Sequence, residues 1–136
     1  MGKIPATATI IACNESENIS HCIESVGFFD EILVIDSGST DNTVAVAEKA
    51  GARVIHNPWS GFSRQKQFGF DEAAHDWVFS IDADERVTPR LKQSLLELFA
   101  GPSQSPQYNG YLINRCNHFM GQALRHGEGY PDWLLR

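Results

Sequence analysis

The segment Trp77–Glu85 (WVFSIDADE) constrains the fold of this chain more than any other. Its first five residues are mostly apolar, which is typical of a buried β-strand, and two carboxylates, Asp82 and Asp84, follow at once. Such oxygen ligands suit Mg²⁺ or Mn²⁺, and open α/β sheets bind ligands beyond the carboxyl ends of their strands. The alternative is an acidic turn that caps the next helix. A second acidic strand end, in Leu33–Asp41 (LVIDSGSTD), favours the binding site.

Strand and helix patterns alternate along the chain. Strands are predicted at Ala6–Ala12, Glu31–Asp36, Ala52–His56, Asp76–Ile81 and Tyr108–Arg115. Helices are predicted at Asn14–Phe28, capped by Asn14 or Ser16, at Asp41–Ala50, at Phe62–Ala74, capped by Ser60, and from Thr88-Pro89 to Phe99. This order predicts the α/β class: a mostly parallel sheet with helices on both faces, in a single domain of residues 1–136. Residues from Asn117 onward lack periodicity, which predicts loops, and we expect the natural protein to continue past Arg136.

Composition excludes several classes of protein. A formal net charge of −6 without any Lys/Arg cluster argues against a nucleic-acid surface. Three widely spaced cysteines predict reduced thiols rather than a disulfide framework or a zinc site. No apolar run approaches the roughly 18–20 residues that cross a bilayer, so we expect a cytoplasmic domain.

Polar residues also follow the first two predicted strands. Asp36 could accept hydrogen bonds from a ribose diol or a base N–H, and it lies too early to cap the following helix. Asp41, by contrast, is predicted to cap that helix. Asn14 and Glu15 either point into the same crevice or cap the first helix.

A third group of candidates lies on or beyond the helices. Arg64 and Lys66 could neutralise a diphosphate, or they could belong to a solvated helix face. His118 and His126 could line an acceptor pocket, although loop histidines are more often structural. Trp133 could stack against a sugar.

Taken together, the strand ending before Asn14-Glu15, the LVIDSGSTDNT segment, the RQKQFG helix and the FSIDADE segment resemble family 2 glycosyltransferases of the GT-A fold. More narrowly, the pattern is similar to bacterial lipopolysaccharide-core β-glycosyltransferases that add glucose to an inner-core heptose. The resemblance covers about Ala6 to Arg136. It implies an inverting hexosyltransferase that moves a hexose, by preference glucose, from a nucleoside diphosphate sugar to a lipopolysaccharide-core or other lipid-linked glycan.

The resemblance also implies roles for individual residues. Asp36 would contact the uracil or ribose, and Asn14 and Glu15 would contribute to the donor site. Lys66 takes the place of the family's usual arginine, with Gln67 in the place of its asparagine, beside the diphosphate. The D-x-D acids are Asp82 and Asp84, the latter a direct ligand of Mg²⁺ or Mn²⁺.

The general base of such enzymes is an acid well after the D-x-D motif. Asp132 is the best match and Glu128 the second. We expect Asp132 to lie beside the ring of Trp133, with a pKa modestly above the free value of about 3.9. The alternative is a turn residue whose carboxylate binds local backbone N–H groups.

The expected partners are therefore the nucleotide-sugar donor and the glycan acceptor, not nucleic acid. A peripheral contact with the inner face of the cytoplasmic membrane is a narrower expectation. Two other functions stay open: a nucleotide-sugar-binding module without transfer activity, and a nucleotidyltransferase. The second lacks support because Cys13–Ser16 stands where a Gly-rich, basic phosphate loop would follow the first strand.

Overall fold

The structure is a computed structural model that describes residues 2–101, 106–123, 125 and 132–136. The chain divides into two compact units, Met1–Pro106 and Gln107–Arg136, and each is described by itself. Among the described residues, no helix is both long and apolar enough to cross a membrane.

The first unit is an alternating α/β structure. Its strands are β1 (Ile4–Ala12), β2 (Phe29–Asp36), β3 (Arg53–His56) and β4 (Val78–Asp82). Its helices are α1 (Ile19–Ser25), α2 (Thr43–Lys49), α3 (Phe62–Glu72) and α4 (Pro89–Leu98). The four strands form one parallel sheet in the order β3-β2-β1-β4. The predicted parallel α/β fold is confirmed.

Both faces of this sheet are covered. Leu33, Val34 and Ile35 are consecutive in β2 and all fully buried, as expected for a parallel strand between two layers. In the sheet, β1, β2 and β3 lie side by side in chain order, and β4 pairs with the other side of β1. Because crossovers between parallel strands are right-handed, this reversal of direction places α3 on the face opposite α1 and α2. Gly69 allows α3 to approach closely, because a Cβ there would lie 3.3 Å from Ile35 Cγ1.

The register brings the carboxyl ends of the strands level with one another. Ala12 pairs with Asp36, Asp36 pairs with His56, and Ile11 pairs with Asp82. The polar residues that follow these strands therefore share one edge of the sheet.

A polar cluster ties the structure together away from that edge. Glu31 accepts hydrogen bonds from the Thr7 hydroxyl at 3.0 Å and from the Ala74 N–H at 2.9 Å. Arg53 pairs with Glu31 at 3.2 Å and donates to the Glu72 carbonyl at 2.8 Å. The cluster links β1, β2 and β3 to the connection between α3 and β4.

Helices α3 and α4 begin where predicted, at Phe62 and Pro89, whereas α1 and α2 begin later than predicted, and the cap of α3 also differs. The first helix begins at Ile19 instead of Asn14, because Asn14 adopts a left-handed backbone with φ of 53°. At the start of α3 the cap is Gly61, not Ser60, with φ of 105° and no side-chain hydrogen bond. Thr88 caps α4 as predicted by accepting a hydrogen bond from the Leu91 N–H at 3.2 Å.

The second unit is built from short antiparallel strands. They are β5 (Leu112–Arg115), β6 (His118–Phe119), β7 (Gln122–Ala123) and β8 (Asp132–Leu135), paired as β5 with β8 and β6 with β7. Met120 and Gly121 both have positive φ, as the tight turn between β6 and β7 requires. The strand predicted at Tyr108–Arg115 is confirmed over Leu112–Arg115. For the described residues from Asn117 onward the expectation of loops was wrong, because β6, β7 and β8 have only two to four residues each.

Candidate functional site

The D-x-D acids form a closed turn at the end of β4, which we call the acidic turn (Asp82–Glu85). The Glu85 N–H donates to the Asp82 carbonyl at 2.9 Å, and the Asp82 N–H donates to Glu85 Oε1 at 2.8 Å. Ala83 is buried, whereas Asp84 is exposed. Ala83 thus anchors the turn in the fold, and the Asp84 carboxylate faces solvent.

Cys22 of α1 lies directly beneath this turn. Its thiol is fully buried and donates to the Asp82 carbonyl at 3.4 Å. Burial, reinforced by the negative charges of the acidic turn, raises the pKa of Cys22 to about 12. The thiol therefore stays protonated and acts as a donor rather than a nucleophile.

Lys66 of α3 reaches the same turn. Its Nζ lies 3.4 Å from Asp82 Oδ1, and both side chains are about one-third exposed. Asp82 Oδ1 itself is buried, and Lys66 Nζ is the charged group that approaches it from a partly exposed side chain. A partly exposed pair of this kind contributes only about 0–1 kcal/mol to stability, so its place beside a strand end suits a binding role. The structure thus brings together Lys66 and Asp82, two of the residues singled out from the sequence.

The donor atoms of the acidic turn fit a hard divalent cation. Asp82 and Asp84 offer carboxylate oxygens, which Mg²⁺ and Mn²⁺ prefer. Within the described part of the chain, no group of three or more His, Cys, Asp or Glu side chains could hold a metal ion. Mg²⁺ commonly takes one or two carboxylates from the protein and completes its shell with water and substrate phosphates, and the acidic turn matches that arrangement.

Asp36 folds the loop that follows β2. Its Oδ2 accepts hydrogen bonds from the N–H groups of Gly38 and Ser39, both at 2.9 Å, and its Oδ1 accepts one from the Ser39 hydroxyl. The residue is only 3% exposed, and Gly38 has a φ of 116° that favours glycine. Asp36 shapes the local backbone at the strand end, and its contact with a nucleotide stays a prediction.

Asn14 joins the loops after β1 and β2. Its Oδ1 accepts hydrogen bonds from the Thr40 N–H at 2.8 Å and the Asp41 N–H at 3.3 Å, while its own N–H donates to Ser39 Oγ at 2.9 Å. The prediction that Asn14 caps the first helix was therefore wrong. Neighbouring Glu15 accepts a hydrogen bond from Asn18 Nδ2 at 3.0 Å near the start of α1. The structure places both residues at the carboxyl edge of the parallel sheet, and their contacts with a ligand stay predictions.

Asp41 lies one residue before Asn42, the N-cap of α2, so the prediction that Asp41 itself caps this helix was wrong. It accepts hydrogen bonds from the Thr43 hydroxyl, from the Thr43 N–H at 2.9 Å and from the Ser16 N–H at 3.3 Å. The hydroxyl of Thr43 is the main cause that lowers the pKa of Asp41 to about 2. Asp41 thus orders the start of α2 and holds the first loop beside it.

Gln65 and Asn57 support the site in a way that the sequence did not reveal. Gln65 is fully buried; its Nε2 donates to the Asn57 carbonyl at 3.1 Å and its Oε1 accepts from Asn57 Nδ2 at 2.9 Å. This double contact fixes the start of α3 against the end of β3 and so places the adjacent Lys66. The break at Asn57-Pro58 was the sole sequence signal near this pair.

Asp132 lies in the second unit, at the start of β8. Its Oδ2 is 2.9 Å from Arg115 Nε, 2.8 Å from Arg115 Nη2 and 3.3 Å from Asn117 Nδ2. Hydrogen bonds from Arg115 and then Asn117 lower the pKa of Asp132, so the expected upward shift was wrong. It is also a strand residue, not a turn residue that binds local N–H groups. Because consecutive strand residues point to opposite faces, the ring of Trp133 does not lie beside the Asp132 carboxylate, contrary to the expectation.

The remaining candidates in the second unit divide into two groups. His118 is exposed in β6, and Trp133 is 58% exposed in β8. Glu128 and His126 lie outside the described residues.

Comparison with known proteins relates the whole chain to one family. The model of "Glycosyl transferase family 2" matches residues 7–135. An uncharacterized glycosyltransferase of Rickettsia conorii is 44% identical over 108 residues, covering 79% of this chain and 38% of that protein. The lipopolysaccharide core biosynthesis glycosyltransferase LpsC of Rhizobium meliloti is 39% identical over 124 residues, covering 88% of this chain and 45% of that protein.

Solved structures agree with the sequence comparison. Glucosyl-3-phosphoglycerate synthase from Mycobacterium tuberculosis, in complex with uridine diphosphate, matches with a TM-score of 0.59 and 27% identity. The match covers 75% of this chain and 40% of that one. The chain thus spans between 38% and 45% of the length of these relatives. The matched residues, the parallel sheet and the acidic strand end together show that the chain belongs to glycosyl transferase family 2.

Proposed function

We propose that this chain supplies the donor site of an inverting hexosyltransferase that takes its sugar, by preference glucose, from a nucleoside diphosphate. The acceptor would be a sugar of a lipopolysaccharide core or another lipid-linked glycan. The observation that carries the proposal is the acidic turn with Lys66 3.4 Å from Asp82 at the carboxyl edge of a parallel sheet. We keep residues 1–136 as one nucleotide-sugar-binding domain, which stays a prediction.

The leaving group of such a transfer is a nucleoside diphosphate, and the first unit offers complementary chemistry for it. Asp84, with Asp82 beside it, would hold Mg²⁺ or Mn²⁺, which when bound stabilises negative charge on phosphate oxygens. Lys66 adds a mobile positive charge at the same place, which favours the departing diphosphate more as its charge grows. Support for uridine diphosphate as the nucleotide comes from the mycobacterial synthase, which was crystallised with it.

The nucleoside would bind beside the loops after β1 and β2. Asn14 and Asp36 hold these loops in one arrangement through hydrogen bonds to residues 38–41. A preformed site costs less ordering entropy on binding. We therefore assign Asn14, Glu15 and Asp36 to the uracil and ribose side of the donor site.

The acceptor half of the reaction requires a general base. Asp132 is our candidate for the general base that takes the proton from the attacking hydroxyl, with Glu128 as the second candidate. The hydrogen bonds from Arg115 and Asn117 lower the pKa of Asp132 and so weaken it as a proton acceptor, and its assignment as the base is supported by the family resemblance alone. Similarity to LpsC supports a lipopolysaccharide-core acceptor, and a lipid-linked acceptor would place the enzyme at the inner face of the membrane.

A thermal-shift panel of nucleoside diphosphate sugars, each with and without Mn²⁺, tests the proposal. A ligand at one hundred times its Kd stabilises the folded chain by about 2.7 kcal/mol, which raises the melting temperature by several degrees. We expect uridine diphosphate glucose to do this only with Mn²⁺, and adenosine diphosphate glucose to do less. Equal shifts for all nucleotides, or none, would argue against a donor site.

A further inference from the structure

The main chain of Asp82 is held by side chains from two separate elements. Glu85 Oε1 accepts its N–H at 2.8 Å, and the Cys22 thiol donates to its carbonyl at 3.4 Å. The same carbonyl also accepts the Glu85 N–H at 2.9 Å. Glu85 therefore binds Asp82 twice, once through its backbone and once through its side chain.

In this arrangement one carboxylate oxygen of Glu85 is used within the turn, although the sequence position of Glu85 suggests a metal ligand. Three acids in four residues could be interpreted as three ligands for one cation. Oε1 of Glu85, however, is directed back to the N–H of Asp82, and Glu85 is less exposed than Asp84. Its contact closes the turn that spaces the two remaining carboxylates.

We propose that Glu85 is a positioning residue: its Oε1 locks the acidic turn in the shape that lets Asp82 and Asp84 hold a divalent cation, without binding the cation itself. The inference rests on the proposed function, since it assumes that the turn binds a metal with a diphosphate. Residues that orient metal ligands typically contribute 10–100-fold to metal affinity, so removal of the contact should be measurable.

Conservative replacement separates the two roles of an acid at this position. Glu85→Gln keeps a side-chain oxygen that can accept the Asp82 N–H but removes the negative charge. Glu85→Ala removes both. Glu48→Ala, at an exposed position of α2, is the matched control, and Asp84→Asn removes a proposed ligand.

The measurements are Mn²⁺ affinity in the presence of uridine diphosphate, by electron paramagnetic resonance of free Mn²⁺, and hydrogen exchange of the Asp82 amide without metal. We expect Glu85→Ala to weaken Mn²⁺ binding about 10-fold or more and to speed exchange of that amide. Glu85→Gln and Glu48→Ala should retain wild-type values in both experiments.

The possible outcomes distinguish this inference from the proposed function. If Glu85→Gln loses as much affinity as Glu85→Ala, the charge acts on the cation directly and the inference is wrong. It is also wrong if Glu85→Ala binds Mn²⁺ as the wild type does. If Glu85→Ala does not fold, retained affinity in Glu85→Gln supports the inference and lost affinity overturns it. A wild-type chain that binds Mn²⁺ no better than Asp84→Asn overturns the proposed function as well.

Discussion

Asp36 ends β2 and Asp84 follows β4, yet the carboxylates of these two residues have opposite surroundings. Asp36 is 3% exposed and accepts hydrogen bonds from Gly38 and Ser39 in its own loop, whereas Asp84 is exposed beyond a buried alanine. Replacement of Asp36 should therefore disturb both stability and binding. Replacement of Asp84 should disturb binding alone.

Asp36→Ala should raise the Kd for uridine diphosphate and also lower the melting temperature. The variant removes the charged acceptor of the Gly38 and Ser39 N–H groups, and a hydrogen bond to a charged group contributes about 1.5–3 kcal/mol at most where water can replace it. Asp36→Asn, which keeps one carbonyl oxygen, should be milder in both respects. Calorimetric titration and thermal unfolding measure the two effects. A lower melting temperature with unchanged affinity would reduce Asp36 to a structural role.

The sequence singled out the two acids and the lysine of the candidate site, but not the residues that hold them in place. Asp82, Asp84 and Lys66 were recognisable because charged residues at a strand end or on a helix of an acidic chain are informative. Gln65 and Cys22 were not, since their partners lie 8 and 60 positions away in the sequence. Hydrogen-bond partners across such separations depend on the packed fold rather than on local pattern.

Among the secondary-structure elements, the length of a strand decided whether its sequence pattern could predict it. Three strands of the parallel sheet, β1, β2 and β4, were recognisable as largely apolar runs, and β3 was predicted correctly although Val54 and Ile55 are only half-buried. In the second unit, β5 lies within the strand predicted at Tyr108–Arg115, whereas β6, β7 and β8 are two to four residues long and were not predicted. The early helix start expected at Asn14 failed for another reason: a tertiary contact with Thr40 outweighed local helix propensity.

The Glu31 cluster, which joins three strands to the end of α3, gives a test by pH. Burial raises the pKa of Glu31, but the hydrogen bonds from Ala74 and Thr7 and the charge of Arg53 outweigh it, so the pKa lies below the ordinary 4.5. A lowered pKa means that the ionised form stabilises the folded chain. That stability is fully present above pH 4.5 and is lost as the pH falls through the folded pKa.

Glu31→Gln should therefore be less stable than the wild type at pH 7, by about 1 kcal/mol, and the difference should shrink as the pH falls below 4.5. Urea unfolding at several pH values measures it, with Glu48→Gln as an exposed control. A difference that is the same at pH 3 and pH 7 would show that the charge of Glu31 contributes nothing.

For the whole molecule, the division into two units separates the proposed donor site from the candidate base. Asn14, Asp36, Lys66 and the acidic turn belong to the first unit, and Asp132 belongs to the second. The chain spans 38–45% of the length of the Rickettsia and Rhizobium relatives, so transfer is best tested in a protein of their full length.

In such a protein, Asp132→Asn should reduce transfer by about 10²–10⁴-fold, the usual contribution of a general base, while donor and metal affinity stay unchanged. Rates of glucose transfer and a parallel binding titration measure the two quantities. Asn117→Ala removes a neighbour of the carboxylate and should cost much less. If Asp132→Asn transfers normally and Glu128→Gln does not, the base is Glu128.

The central claim, that Asp84 binds a divalent cation together with a nucleoside diphosphate, has one direct test. Uridine diphosphate is titrated calorimetrically into the wild type and into Asp84→Asn, each with and without Mn²⁺. We predict that Mn²⁺ tightens binding to the wild type by about 100-fold, which corresponds to about 2.7 kcal/mol, and has no effect on Asp84→Asn. Both chains should melt at the same temperature without ligand. An equal gain from Mn²⁺ in both chains would contradict the claim.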